Sequence, residues 1–541
     1  MNSNILKSLS ACLLVFSLTS CNDWLTEDTP GRSGVDEFFT TDETINEAVI
    51  ASYVPLMWEY GNSTTYYPEW FIGDVVSDDA LKGGGTINDM ADVYDMENFK
   101  TNTNNTLLLG FYRAQWQGIA RTNLALQQIE NLEVGDNFTQ AHYNQYKGEA
   151  KFLRAMYYFR LARIYGGMPL IDYVIDSSSL WKQTRSSLDE TLQFILDDLK
   201  EAAELLPAKK AYSAENLGRA TSGSADALLM RVALYRAGFQ QQAGDNADAT
   251  ESYKLVKAYG ETIQKSRQYE LCSNYNDNFT LAGENGKESV FEIQYTEDPT
   301  SDYGEGEGFT RGTFTLVLQR SRSSVFGAGW GFNKPTQNLY NEFENGDYRL
   351  NFTILNPTDE QMETPAQEIY LGDRYCSYKY GMYTDGPEGS LYYLTHDTRG
   401  PINNKYIRYS DVLLMYAEAC CELDEITPAT EALNKVRARV SMPVFPYTAS
   451  IQGKTVTFGS NQADLRTAIR HERRVELAME GHRWFDLCRW GIAKETIDNY
   501  YAKETEDARK HYAGFIKGKH EFMPIPAKEV DLSGIAQNKG Y

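Results

Sequence analysis

Along Gln145 to Tyr165, the residues Tyr146, Ala150, Leu153, Tyr157, Leu161 and Ile164 fall in steps of four and three, with Lys147, Glu149, Lys151 and Arg163 on the other faces. An α-helix gathers such positions into one stripe, so the spacing predicts an amphipathic helix, stopped by Gly166-Gly167 with Pro169 beyond. Similar patterns cover about 42–59, 107–131, 187–206, 222–238, 247–265, 406–423, 428–440 and 461–481. Helices of this length joined by short turns predict pairs of the tetratricopeptide kind, although no clean repeat of about 34 residues is present. The expected fold is all-α dominated, a degenerate helical-pair scaffold.

Two stretches break the period. The first, 60–106, carries Tyr66, Tyr67, Trp70, Asp78, Asp79 and Gly83-Gly84-Gly85; the second, 271–404, carries Tyr303, Phe326, Trp330 and a series of glycines. Loops this long inside a compact protein are more often binding surfaces than connectors. Strand-like runs at 289–295 and 313–318 are expected to pair within them. The helical scaffold is then assigned to 35–59, 107–270 and 405–541, and a loop-rich ligand subdomain with short strands to 60–106 and 271–404.

The N-terminus reads as a targeting segment. Lys7 precedes an apolar run from Leu9 to Leu18 that is shorter than the roughly 20 residues needed to cross a bilayer. Leu18-Thr19-Ser20-Cys21 resembles a bacterial lipobox, which implies a signal peptide at 1–20, a lipidated Cys21 and a polar, turn-rich tether at 21–34. Beyond these, Cys272, Cys376, Cys420, Cys421 and Cys488 are odd in number and form no CxxC, which favours buried free thiols over disulfides or zinc. A formal charge of −23 disfavours nucleic acid and anionic lipid as partners.

Direct tests for catalytic signatures fail. Gly453-Lys454-Thr455 resembles the end of a phosphate loop, but Thr448 stands where its first glycine belongs. His471-Glu472 begins like a zinc-protease helix, but Val475 occupies the second histidine position, and the six histidines are scattered. Asp78 and Asp79 are the best candidates for a glycosidase pair; the alternative is that they cap a turn or bind ligand hydroxyls. No metal or cofactor is called for. Tyrosine is abundant, at 37 residues, and its ring can lie on an apolar sugar face while its hydroxyl bonds a polar group. Trp330 stands in Gly327-Ala328-Gly329-Trp330-Gly331, where it either packs in the core or uses the room the glycines leave to meet a ligand. Leu465, Ile469, Glu472, Glu476 and Met479 share one helix face, so Glu472 and Glu476 are expected to meet Arg473, Arg483 or Arg489 in a partly buried network.

Several blocks, in order along nearly the whole chain, resemble the SusD/RagB family of outer-membrane nutrient-binding lipoproteins. They are the run from Gly148 to Phe159 with its Tyr165-Gly166-Gly167-Met168-Pro169-Leu170 stop, Pro335-Thr336-Gln337, Arg408-Tyr409-Ser410-Asp411 through Ala419, and Leu433-Asn434-Lys435-Val436-Arg437. Glu472-Arg473-Arg474-Val475-Glu476, Gly481-His482-Arg483-Trp484-Phe485-Asp486 and the terminal Pro524-Ile525-Pro526 with Gln537-Asn538 complete the set. The resemblance implies a tetratricopeptide-like scaffold with a loop-rich ligand subdomain, and a non-enzymatic lipoprotein anchored through Cys21 at the cell surface of a Bacteroidota-type bacterium. It also implies capture of glycans, or in some branches peptides, and delivery to a SusC-like TonB-dependent transporter. Carried over by position, the ligand contacts are Tyr303 and Trp330, with Asp79 and Trp70 in the first loop; Tyr67 beside them and Arg322, as a donor to hydroxyls, complete the expected site. Leu81-Lys82 stands where starch-binding relatives have an aromatic, which argues against starch itself.

Overall fold

The computed structural model describes residues 38–59, 68–176, 182–297, 312–326, 329–358, 361, 375–381 and 400–541. The first helix, α1 (Asp42–Tyr53), starts at a Thr41–Thr44 capping box and leads into a short helix, α2 (Trp70–Gly73), a strand, β1 (Ala80–Gly83), and α3 (Ala91–Glu97). Long helices follow: α4 (Thr106–Asn131), α5 (Gln140–Tyr165), α6 (Leu188–Leu205), α7 (Ser222–Ala243) and α8 (Asn246–Ser266), each packed against the next. Their starts are set by sequence, as when Ser187 caps Glu190 and Glu190 returns the bond to the Ser187 N–H at 2.8 Å.

The irregular half holds β2 (Ser289–Ile293), α9 (Thr315–Gln319), β3 (Phe332–Pro335), α10 (Gln337–Tyr340), α11 (Arg349–Thr353), β4 (Ile354–Leu355), β5 (Cys376–Ser377) and β6 (Asn404–Arg408). Helices then resume with α12 (Tyr409–Glu422) and α13 (Ile426–Arg439), followed by the hairpin β7 (Tyr447–Ile451) and β8 (Lys454–Phe458) and by α14 (Gln462–Glu476) and α15 (Arg483–Arg489). Helix α12 packs on α8, α13 and α14, which joins the two helical halves. Each sheet is a two-stranded antiparallel ribbon, with β1 on β3, β2 on β6, β4 on β5 and β7 on β8. The Gly453-Lys454-Thr455 run is the turn and first strand residues of the last hairpin. All five described cysteines are buried free thiols.

Helix boundaries follow the periodicity to within about six residues, but from Gly148 on the polar residues of α5 do not face solvent. From Gly148 to Tyr165 only Lys151 is more than marginally exposed. Glu149 takes Arg219 at 2.9 Å and the Tyr53 hydroxyl at 2.7 Å, and Asp198 accepts from Arg154 at 2.7 and 2.8 Å. The helix is central, and its charges are matched by neighbouring helices and the segments between them. The run at 313–318, expected as a strand, is instead α9, with Thr313 making one isolated bridge to Gly400. The Glu59 carboxylate accepts the Phe314 and Thr315 N–H groups at 2.6 and 3.1 Å, so those donors are satisfied as a helix start rather than along a ladder.

Glu472 and Glu476 do enter a buried ionic network, with different partners from those expected. Glu472 binds Arg349 at 2.5 Å and Arg437 at 2.7 Å; Glu476 binds Arg349, Arg408 and Arg439 at 2.9, 2.9 and 2.6 Å. Arg473 goes to Asp411 and Asp486, Arg483 to Asp78, and Arg489 to Glu418 and Asp486. The chain of charges continues from Arg437 through Glu344, His471 and Glu342 to Arg474, and from there to Asp78 and Asp79. Burial opposes the His471 charge, but bonds to Glu342 and Glu344 hold its pKa up at about 9, so the imidazolium is a fixed link at neutral pH.

Candidate functional site

Two arms of irregular backbone meet at one surface, and each is fastened from behind. The first arm begins with Asp74, whose carboxylate accepts Asn333 Nδ2 at 3.1 Å and the Gly481 N–H at 2.8 Å. Asp78 is held by Arg483 at 2.8 and 3.1 Å, and Asp79 by Arg474 at 2.8 Å. The carbonyls of Asp78 and Asp79 accept from the hydroxyl and N–H of Thr336, which also caps α10. So anchored, β1 pairs with β3 in the register Ala80 to Pro335, Leu81 to Lys334 and Gly83 to Phe332, and the Gly84 N–H reaches the Gly331 carbonyl at 2.8 Å. Gly83 has φ +73°, and a Cβ there would stand 2.1 Å from the Gly331 oxygen, so this crossing admits only glycine.

Beyond the crossing, the glycine turn is closed by polar bonds. The Gly85 N–H donates to Asp89 Oδ2 at 2.8 Å, and Lys82 Nζ donates to the carbonyls of Thr86 and Asp89 at 2.9 and 2.5 Å. Burial lowers the Lys82 pKa to about 8 and raises that of Glu97, which accepts the Lys82 N–H, to about 7.

The second arm is Gly329-Trp330-Gly331, laid across α9 and the residues after it. Its three successive N–H groups donate to the carbonyls of Ser321, Val317 and Arg320 at 2.7, 2.7 and 2.9 Å. The Trp330 ring is half-buried and stands nearly perpendicular to Phe314, with centroids 5.1 Å apart. Arg322 is exposed; its Nη1 donates to the Trp330 carbonyl at 3.2 Å and lies 4.0 Å from Asp89. Arg322, Gly85, Asp89 and the Trp330 backbone thus meet at one surface, flanked by exposed Thr86, Ile87 and Asn88, with the half-buried Trp330 ring attached to it. It offers an apolar ring, a guanidinium with free valence and a carboxylate, which suits a ligand with an apolar face and a hydroxyl-bearing edge.

Of the residues expected at the site, Trp330 and Arg322 come together there. Trp70 does not: it is buried, with its indole N–H on Thr315 Oγ1 at 3.1 Å and its ring 4.0 Å from that of Phe71. Asp79 is likewise internal, since Arg474 consumes its charge, so both residues fasten the loop rather than face a ligand. Tyr67, Tyr303 and Cys21 lie outside the described residues. Asp78 is no better placed as an acid: burial raises its pKa, but Arg474 and Arg483 outweigh that and hold the carboxyl below its ordinary range. Sequence reasoning passed over Asp89, Phe314 and Glu59, whose places are set by loop geometry that no local pattern announces. Among the described residues, no group of three or more His, Cys, Asp or Glu is arranged to hold a metal, and no helix is long and apolar enough to cross a membrane.

The sequence and the fold both have relatives among known proteins. Residues 287–541 match the model of the SusD family, and residues 23–234 match a related model described as starch-binding, associating with the outer membrane. The SusD-like protein P2 of Formosa agariphila is 24% identical, over 98% of both chains. Among solved structures, a laminarin binding SusD-like protein is 27% identical with a TM-score of 0.73, covering 93% of this chain and 100% of the other. Surface glycan-binding protein A from Bacteroides thetaiotaomicron is 25% identical with a TM-score of 0.74, at the same coverage. In its order of helices, its short ribbons and its matches to both halves of the family's sequence, the chain belongs to the SusD/RagB family.

Proposed function

We propose that this protein is a lipid-anchored, cell-surface binding protein that captures oligosaccharides and hands them to a TonB-dependent outer-membrane transporter, with no chemistry of its own. The observation that carries the reading is the half-buried Trp330 ring, braced by Phe314, with exposed Arg322 bonded to the Trp330 carbonyl. A sugar ring laid on the indole buries its apolar face, while Arg322 and Asp89 bond its hydroxyls; each mismatched hydroxyl costs roughly 1 to 3 kcal/mol in selectivity. Relatives with the same fold are named for laminarin and surface-glycan binding, which supports a glycan as the ligand class. Tyr67 and Tyr303 are proposed as further contacts, and Cys21 as the lipidated anchor. Delivery to the transporter is checked by co-purification of the two proteins from detergent-solubilised membranes.

The test of ligand class is calorimetric titration of the protein with plant, host and microbial oligosaccharides, laminarin fragments among them, and with mixed oligopeptides. Saturable binding of at least one saccharide, with peptides silent, is the expected result. Saturable peptide binding with every saccharide silent places the chain with the peptide-binding branch of the family and overturns the glycan reading.

A further inference from the structure

The ring of Trp330 sits on α9, and α9 is held at its start by a residue from a distant part of the chain. Glu59 follows the first scaffold helix, yet its buried carboxylate accepts four hydrogen bonds from the α9 N-terminus. They come from Thr313 Oγ1 at 2.8 Å, the Phe314 N–H at 2.6 Å, the Thr315 N–H at 3.1 Å and Thr315 Oγ1 at 2.8 Å. Phe314, whose N–H is one of these donors, is the ring that braces Trp330, and the Trp330 N–H itself bonds the Val317 carbonyl one turn along α9. Trp70 reinforces the same point through Thr315 Oγ1. A carboxylate is the one side chain that accepts from all four donors at once without presenting a proton of its own.

We infer that Glu59 is the positioning residue of the ligand platform: by capping α9 it fixes Phe314, and through Phe314 the orientation of the Trp330 indole, before any ligand arrives. The inference deepens the glycan-capture reading and rests on it for its functional meaning, but its geometric content stands apart. Glu59 touches no ligand; it acts by sparing the complex the ordering of the platform. Replacement by Gln removes the charge that faces all four donors and, with its oxygen kept on the two N–H groups, puts an NH2 donor where the carboxylate accepted the Thr315 hydroxyl. The platform then samples several orientations, and affinity falls without any contact residue being changed.

The experiment uses the full chain labelled with 5-fluorotryptophan, the Trp330 line being assigned by its loss in Trp330→Phe. In Glu59→Gln, the ligand-free Trp330 fluorine resonance is expected to shift or broaden while that of Trp116, remote from α9, stays in place. Affinity for whichever saccharide the titration identifies is expected to fall about tenfold. Thr315→Val, which keeps volume and removes one donor to Glu59 together with the acceptor of the Trp70 N–H, gives the same signature at Trp330 and serves if Glu59→Gln does not fold. An unchanged Trp330 line in a folded variant overturns the inference, as does a lowered unfolding midpoint with line and affinity both intact, which is the mark of a purely structural bond. A shifted line in a protein that binds no saccharide overturns the function and leaves the positioning role standing.

Discussion

Glu476→Gln is expected to lower the unfolding free energy by about 3 to 5 kcal/mol, the range for removing one partner from a buried ion pair. Glu476 lies on α14 with its side chain fully buried, and it faces Arg349, Arg408 and Arg439. The glutamine preserves shape but leaves these guanidiniums one negative charge short, in a place water does not reach. On a total stability of roughly 5 to 15 kcal/mol, that is a large share, and reduced soluble yield is the first sign expected. The control is Glu251→Gln, which breaks an ion pair of similar length, 2.7 Å to Lys254, with both side chains exposed. Its expected effect is below about 1 kcal/mol, so burial and not distance decides the outcome. The pH dependence carries a sign as well. Burial alone would raise the Glu476 pKa, but Arg439, Arg408 and Arg349 overwhelm it and hold the carboxyl well below its ordinary value. Stability from this group is therefore present above the unfolded carboxylate pKa and is lost as pH falls below it. Urea titrations at neutral and acidic pH check both points: the deficit of the variant is expected to shrink on acidification. A variant as stable as the parent at neutral pH contradicts the network's role.

Trp330→Ala carries the largest expected effect on binding. The indole is half-buried and braced by Phe314, and the Trp330 carbonyl accepts from exposed Arg322. An aromatic anchor of this kind is worth roughly 2 kcal/mol or more, so affinity for the bound saccharide should fall at least about thirtyfold. Arg322→Ala removes exposed hydrogen-bond donors and no platform, and its expected loss is several-fold smaller. Trp330→Phe keeps a ring to stack on and should recover part of the binding. Calorimetric titration separates the three; equal binding by the parent and Trp330→Ala means that the sugar rests elsewhere.

The helices were legible because burial along a helix imposes its own period, and Ser187, Thr139 and Gly166 mark their ends with side chains or backbone that do the capping. The ionic partners were not legible. Arg349, Arg408, Arg437 and Arg439 come from separate elements that only tertiary packing brings to α14, whereas Arg473, Arg483 and Arg489 merely lie nearby in sequence. Asp79 shows the same limit at the site. An acidic pair in a glycine-rich stretch reads alike whether it faces a ligand or an internal arginine, and the choice was made by Arg474, almost four hundred residues on. Trp70 went inward for a comparable reason, since Thr315 supplies its indole N–H with a partner in the interior. Trp330 lies half-exposed, but its flanking glycines serve packing, which their sequence context did not announce: Gly331 turns at φ +69° against Gly83, and a Cβ on Gly329 would stand 2.3 Å from the Arg320 Cβ.

The most direct measurement is a crystal structure of the protein with a bound oligosaccharide. A sugar ring stacked on the indole of Trp330, with hydroxyls in bonding distance of Arg322 and Asp89, is the expected result. A saccharide bound on another face, with Trp330 untouched, would contradict it.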